Sequence, residues 1–169
     1  MNKENSKLVV VDMQEGFRYQ ELEAIIAEIR LAMDIFAGSV LFAKFINRED
    51  SLFHTQLNWE KMRDSSDTKL FSQFKDYEDS SFEHYTYSIL NDDLRAIIER
   101  EGISRIYLAG VYTDVSIIGS AMDLFDEGIE TFVISDACAS LHGNRNHETA
   151  IESLTHILGD DHIISTDNL

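Results

Sequence analysis

Three polar stretches of this chain hold side chains suited to acid, base or nucleophilic chemistry, and each closes an apolar run. Asp12-Met13-Gln14 follows Leu8-Val9-Val10-Val11 and offers a carboxylate that can take or give a proton. Ser135-Asp136-Ala137-Cys138-Ala139-Ser140 follows another apolar run and carries the chain's one cysteine. Between them, Gly110-Val111-Tyr112-Thr113-Asp114-Val115-Ser116 leads from a strand pattern directly into a helical one. A side chain in the first turn of a helix meets free backbone N–H donors and the positive end of the helix dipole, and both stabilise a developing oxyanion. The residues alone also permit a plainer role, in which Thr113 is the N-cap and Ser116 satisfies one backbone donor.

The elements that must position these residues follow from hydrophobic spacing. Leu8 to Met13 is a short apolar run that suits a strand buried on both faces of a parallel sheet, with Asp12 at its C-terminal end. Over residues 20–36, apolar residues from Leu22 to Phe36 recur at helical spacing, and Gly38 supplies the stop. Ser39 to Phe45 reads as a second strand, joined to the first by a right-handed connection. Residues 46–81 hold scattered aromatics at no sustained period and read as a covering segment, or lid, with short helices. Asn91 or Asp92 caps a helix that ends near Gly102. Then come a strand over Arg105 to Val111 and a helix from Thr113 to Gly128, apolar around most of its circumference and expected to be largely buried. A strand over Glu130 to Ala137, a helix over Asn146 to Leu158 and a last strand over Asp161 to Ser165 complete the chain. The alternation predicts a single α/β domain over residues 1–169, with a parallel sheet between helical layers. Ligands of such sheets bind outside the carboxyl ends of the strands, where all three polar stretches fall.

Acidic residues outnumber basic ones 31 to 14, for a net charge of −17, which repels phosphate backbones and anionic lipid. Neither nucleic acid nor a membrane is an expected partner. Cys138 alone can form no intrachain disulfide and no thiolate cluster, in keeping with a reducing compartment. The opening residues, Met1 to Lys7, are polar and the apolar run after them is short, so neither a signal peptide nor a membrane span is expected. The expected location is cytoplasmic.

Leu8 to Gln14, Tyr87-Ser88, Gly110 to Ser116 and Ser135 to Ser140 occur in this order and at similar separations in the isochorismatase-like (cysteine hydrolase) family, which the chain resembles over nearly its whole length. The resemblance implies a three-layer α/β/α sandwich with a mostly parallel sheet of about six strands. It also implies a small-molecule substrate, a homodimer or higher homo-oligomer, and a catalytic Asp, Lys, Cys set. In that set the cysteine attacks an amide or related carbonyl, the aspartate takes its proton and the lysine holds the pair electrostatically. By position the aspartate is Asp12, the lysine position, four residues before the serine of the Tyr-Ser pair, is His84, and the cysteine position is Ser116. Cys138 lies in a separate motif and is not the nucleophile. The implied oxyanion hole uses backbone N–H groups around a non-proline cis peptide at Val111-Tyr112, with the N–H of Ser116. Tyr112, Gln14, Phe17 and Trp59 are the expected substrate-binding residues, with Tyr85 and Tyr87 as further wall candidates.

A thiol with a pKa of about 8.5 ionises readily beside a base, whereas a serine hydroxyl must give up its proton during attack. The sequence therefore admits three activities. One is a hydrolase of an amide, carbamate or related C–N bond using Asp12, His84 and Ser116. The second is a catalytically silent relative that binds a small ligand or a protein partner. The third is hydrolysis of a vinyl ether with Asp12 as proton donor and Lys44 and Arg48 as cations for a dianionic substrate. Asp12, His84 and Ser116 are also the residue types of a serine-hydrolase triad, whose relay requires the imidazole to lie between the other two. No cofactor is expected. Nor is a metal: Lys44 to Asp50 lacks the Asp-x-His that nicotinamidases of the family use, and His54, His142 and His147 lack ligand spacing.

Overall fold

The computed structural model describes residues 5–19 and 22–169. The first residues of the polar opening (1–4), and residues 20 and 21 within the first helical pattern, lie outside the described residues. Among the described residues, six strands make one sheet. They are β1 (Ser6–Val11), β2 (Val40–Phe45), β3 (Ser81–His84), β4 (Arg105–Val111), β5 (Glu130–Ala139) and β6 (Ile163–Ile164). Their order is β3-β2-β1-β4-β5-β6, and every neighbouring pair is parallel.

Central β1 is buried along its whole length. Successive side chains of a strand point to opposite faces, so Leu8 and Val10 enter a core with Ile26, Ile29 and Phe42, while Val9 and Val11 enter another with Leu94, Leu108 and Leu124. Helix α1 (Glu23–Ile35) packs its Ile26 and Ile29 into the first core. Helices α4 (Asp92–Glu101), α5 (Ile118–Asp126) and α6 (Asn144–Leu158) supply Leu94, Leu124 and Leu154 to the second. The result is a three-layer sandwich. The order in which strands are added to the sheet reverses between β1 and β4, and the crevice at such a switch point is where ligands of doubly wound folds sit.

Between β2 and β3, the covering segment forms α2 (Leu52–Thr55), α3 (Ser65–Thr68) and a 3-10 stretch, Ser72–Ser80. Elsewhere the local signals act as their chemistry dictates. Asn91 caps α4 by accepting the Leu94 N–H at 3.0 Å, and Gly102 ends it with φ of +62°.

Several elements differ from the sequence reading. Strand β3 was not anticipated: it has four residues, and only Phe82 and His84 face inward, too little for a strand signal. The helix expected from Thr113 opens instead with a wide π turn, Thr113–Ile117, before α5 begins. Burial there is one-sided, since Ile117, Ala121 and Leu124 are inside while Met122 and Phe125 are exposed. The last strand shrinks to two residues.

Gly110 sets the spacing of β1 and β4 at the switch point. It pairs with Val11 at φ of +114°, and a Cβ there would stand 2.2 Å from the Val11 carbonyl oxygen. Gly110→Ala is therefore expected to lower stability by more than about 3 kcal/mol, measured as a fall in the urea midpoint. An unchanged midpoint would contradict this close approach.

Candidate active site

Asp12 follows the last residue of β1 with φ of +57°, a left-handed conformation that Asp tolerates better than most residues. Its N–H donates to the Ala43 carbonyl at 3.0 Å, and its own carbonyl accepts from Gln14 N–H at 2.8 Å. The turn aims the carboxylate across the ends of the strands, where it is only 1% exposed. Ser116 Oγ donates to Asp12 Oδ2 at 2.7 Å, and His84 Nε2 lies 2.8 Å from Asp12 Oδ1.

His84 is the last residue of β3 and fully buried. Its Nδ1 lies 3.0 Å from the Thr86 carbonyl oxygen, which can only accept, so Nδ1 carries a hydrogen. Nε2 and Asp12 Oδ1 must then share one further hydrogen. With it on Nε2 the ring is an imidazolium beside a carboxylate, a cation at the position where the resemblance implies lysine. Wherever that proton rests, the order is Ser116, Asp12, His84. The relay of a serine-hydrolase triad is not formed: the imidazole stands beyond the carboxylate, because β3 lies at the sheet edge and β4 on the other side of β1.

Ser116 sits in the π turn, a form frequent at functional sites. The Tyr112 carbonyl accepts from both Val115 N–H (3.3 Å) and Ile117 N–H (3.0 Å), and the Val111-Tyr112 peptide bond is cis. Ser120 Oγ donates to the Ser116 carbonyl at 2.5 Å and accepts from Ile89 N–H at 3.1 Å, which pins the turn. Thr113 is not a cap. Its hydroxyl meets His147 Nδ1 at 2.8 Å, and burial holds that imidazole below its ordinary pKa.

A cavity of about 200 Å³ opens over Asp12 and Ser116. Phe17, Phe45, Phe53, Trp59 and Tyr112 form its walls, with Leu57, Tyr87 and His142 among the other lining residues. Phe17 stacks on Trp59 with centroids 6.1 Å apart and meets Tyr112 edge-on at 5.4 Å. Burial, and after it the charges of Asp12 and Asp114, push the Tyr112 phenol up to about 12, so it stays neutral.

Gln14 does not line the cavity, contrary to its expected role in substrate binding. Its amide donates to the Phe45 and Thr68 carbonyls, both at 3.0 Å, and accepts from Phe45 N–H at 2.7 Å. It ties β1, β2 and the covering segment together. Tyr85 is also absent from the wall, stacking under the Arg48 guanidinium at 3.3 Å. Lys44 pairs with Glu78 at 2.7 Å, so neither cation expected to hold a dianion reaches the cavity.

Phe45, Phe53, His142 and the Thr86 carbonyl were missed by sequence reasoning. Phe45 alone had a signal, as the last apolar residue of a strand. Cys138 is buried, and burial raises its thiol well above the ordinary value. His54 Nδ1 faces Glu60 at 3.0 Å, and among the described residues no group of three or more His, Cys, Asp or Glu side chains could hold a metal ion. The segment after β2 thus does not fit a metal of the nicotinamidase kind.

An isochorismatase domain model matches residues 6–166. No curated protein matches the chain. Among solved structures, an isochorismatase-like hydrolase from Alkaliphilus metalliredigens superposes with a TM-score of 0.84 at 18% identity, covering 96% of each chain. N-carbamoylsarcosine amidase from Thermoplasma acidophilum superposes with a TM-score of 0.82 at 19% identity, over 97% of this chain and 98% of that one. Nicotinamidase PncA from Bacillus subtilis gives 0.77 at 19% identity, over 95% and 99%.

A buried carboxylate without a partner is strongly destabilising, so His84→Leu is expected to cost about 3–5 kcal/mol in urea unfolding. Adding Asp12→Asn to that variant removes the orphaned charge and should recover part of the loss. A single variant as stable as the wild type would contradict the pairing of His84 with Asp12.

Proposed function

This chain belongs to the isochorismatase family, and from that premise we propose that it hydrolyses an amide, carbamate or related C–N bond of a small molecule, with Ser116 as nucleophile. The observation that carries this reading is the 2.7 Å hydrogen bond from Ser116 Oγ to Asp12 Oδ2 at the floor of the cavity. A serine with a purely structural role would satisfy a backbone group. This hydroxyl instead meets a base whose other oxygen His84 holds in place.

Ser116 Oγ attacks the carbonyl carbon as its proton passes to Asp12. Negative charge then gathers on the former carbonyl oxygen, which the N–H groups of Tyr112 and Ser116 stabilise. Asp12 passes that proton to the nitrogen as collapse breaks the C–N bond, which leaves an acyl ester on Ser116 and frees the amine. Asp12 then takes a proton from water as the water oxygen attacks the ester, and returns it to Oγ as the ester bond breaks and the acid leaves. His84 Nε2 holds the other carboxylate oxygen at 2.8 Å and so keeps Asp12 aimed at Ser116, the position that the resemblance gives to lysine.

The walls narrow the substrate. Aromatic rings on several sides suit a flat or apolar acyl group, and no lysine or arginine is among the lining residues to hold a dianion. Vinyl ether hydrolysis of a dianionic substrate is therefore the less favoured reading. Two solved relatives are named as an N-carbamoylsarcosine amidase and a nicotinamidase, which supports a C–N bond as the target. Residues 46–81 act as a lid, because Phe53, Leu57 and Trp59 of the wall belong to it.

In a panel of aromatic amides, carbamates and vinyl ethers, the wild type is expected to turn over at least one amide or carbamate. Ser116→Ala and Asp12→Asn should each lower kcat/KM by about 10³-fold or more. Turnover that survives Ser116→Ala would overturn the assignment of the nucleophile. No turnover across the panel would leave ligand binding as the account of the cavity.

A further inference from the structure

The cavity over Ser116, at about 200 Å³, is smaller than the roughly 300–1,000 Å³ that small-molecule sites usually enclose. It does not end at its own walls. A groove of about 360 Å³ adjoins it, and Phe53, Leu57, Thr86 and Tyr87 line both. Cavity and groove together fall within the usual range. The further walls of the groove come from Leu52 and Gln56 of the covering segment and from Tyr85, which follows β3.

We infer that this groove is a subsite for an extended, uncharged apolar chain carried on the carbonyl side of the substrate. None of the side chains that line it is charged, on a protein whose net charge is −17. Six large apolar side chains stand exposed among the described residues, and three of them are here: Leu52, Leu57 and Tyr87, at 69%, 54% and 53% exposure. Single exposed apolar residues are ordinary, but a cluster of them beside a ligand cavity marks a surface that something covers.

A track of rings joins the two spaces. Phe45 meets the His84 ring with centroids 5.5 Å apart, Phe53 meets Phe45 edge-on at 4.9 Å, and Tyr87 meets Phe53 edge-on at 4.8 Å. The track runs from the histidine that holds Asp12 out to the surface. A substrate with its carbonyl at Ser116 and its acyl group beside Phe45 and Phe53 continues along these rings into the groove. That continuity makes the substrate's own chain the occupant, in preference to a separate partner.

The groove is held in shape from both sides. Ser51 Oγ caps α2 by accepting the His54 N–H at 3.1 Å and donates to Asn47 Oδ1 at 2.6 Å. The buried Asn47 amide donates in turn to the Trp59 and Lys61 carbonyls at 2.7 and 3.0 Å. Opposite, Tyr85 lies under the Arg48 guanidinium, and its hydroxyl donates to Glu83 at 2.8 Å. Preformed walls spare a ligand the cost of ordering them.

This inference rests on Ser116 being the nucleophile, and the test keeps the two apart. Ethyl butylfluorophosphonate and ethyl octylfluorophosphonate carry the same reactive phosphorus, to which Ser116 Oγ forms a P–O bond as fluoride leaves, and they differ only in chain length. In the wild type the octyl reagent is expected to label Ser116 at least about tenfold faster, since each fully buried methylene is worth about fourfold. Leu52→Gln and Tyr85→Ser both lie outside the cavity over Ser116. Each should cut the octyl-to-butyl ratio at least about threefold and leave butyl labelling within about twofold of the wild type, a ratio independent of how much protein is folded. Equal rates for the two reagents, or an octyl preference that both variants keep, would overturn the subsite. So would a sedimentation shift to a smaller species in Leu52→Gln with the ratio unchanged, the result expected if the groove seats a second copy of the chain. A Ser116 that neither reagent labels would instead overturn the nucleophile, and the inference with it.

Discussion

The Asp12 carboxylate accepts from Ser116 on one oxygen and faces His84 on the other, in a place almost closed to water. Taking a charge out of water costs several kcal/mol unless partners replace the lost hydration, so this arrangement constrains the whole molecule. The three groups come from distant parts of the chain. Asp12 ends the central strand, His84 ends an edge strand, and Ser116 sits in the π turn after β4. Only a parallel sheet brings three strand ends to one rim, and the glycine at position 110 lets β1 and β4 approach closely enough at that rim.

His84 and Ser116, where the resemblance implies lysine and cysteine, both meet this carboxylate. In the proposed mechanism a hydroxyl, a weaker acid than a thiol, needs its base in direct contact, and Ser116 Oγ lies 2.7 Å from Asp12 Oδ2. An imidazole is shorter than a lysine side chain. It reaches Asp12 because β3 carries it to the rim and the Thr86 carbonyl fixes its ring. Aromatic rings wall the cavity over the carboxylate, and an apolar surround strengthens a charge interaction relative to water.

The sheet was legible because buried parallel strands write continuous apolar runs, as at Leu8 to Val11 and Arg105 to Val111. Helix ends were legible where one residue does one job, as Asn91 and Gly102 do for α4. The family motifs led to Asp12, His84 and Ser116, and the fold brings all three together. Their order did not follow from residue types, since whether an imidazole lies between or beyond its partners depends on strand order. Gln14 was misread for a related reason: a polar residue beside a strand end can face the cavity or the backbone, and only the path of the covering segment decides. The π turn leaves no mark in composition at all.

The claim that Asp12 activates Ser116 is tested most directly by covalent labelling with a fluorophosphonate, which reports the hydroxyl's nucleophilicity without any need to know the substrate. Peptide mapping of the wild type should find the adduct on Ser116, and the labelling rate in Asp12→Asn should be at least about 100-fold lower. A Ser116 that stays unlabelled, or one that labels equally fast in both proteins, would contradict the account.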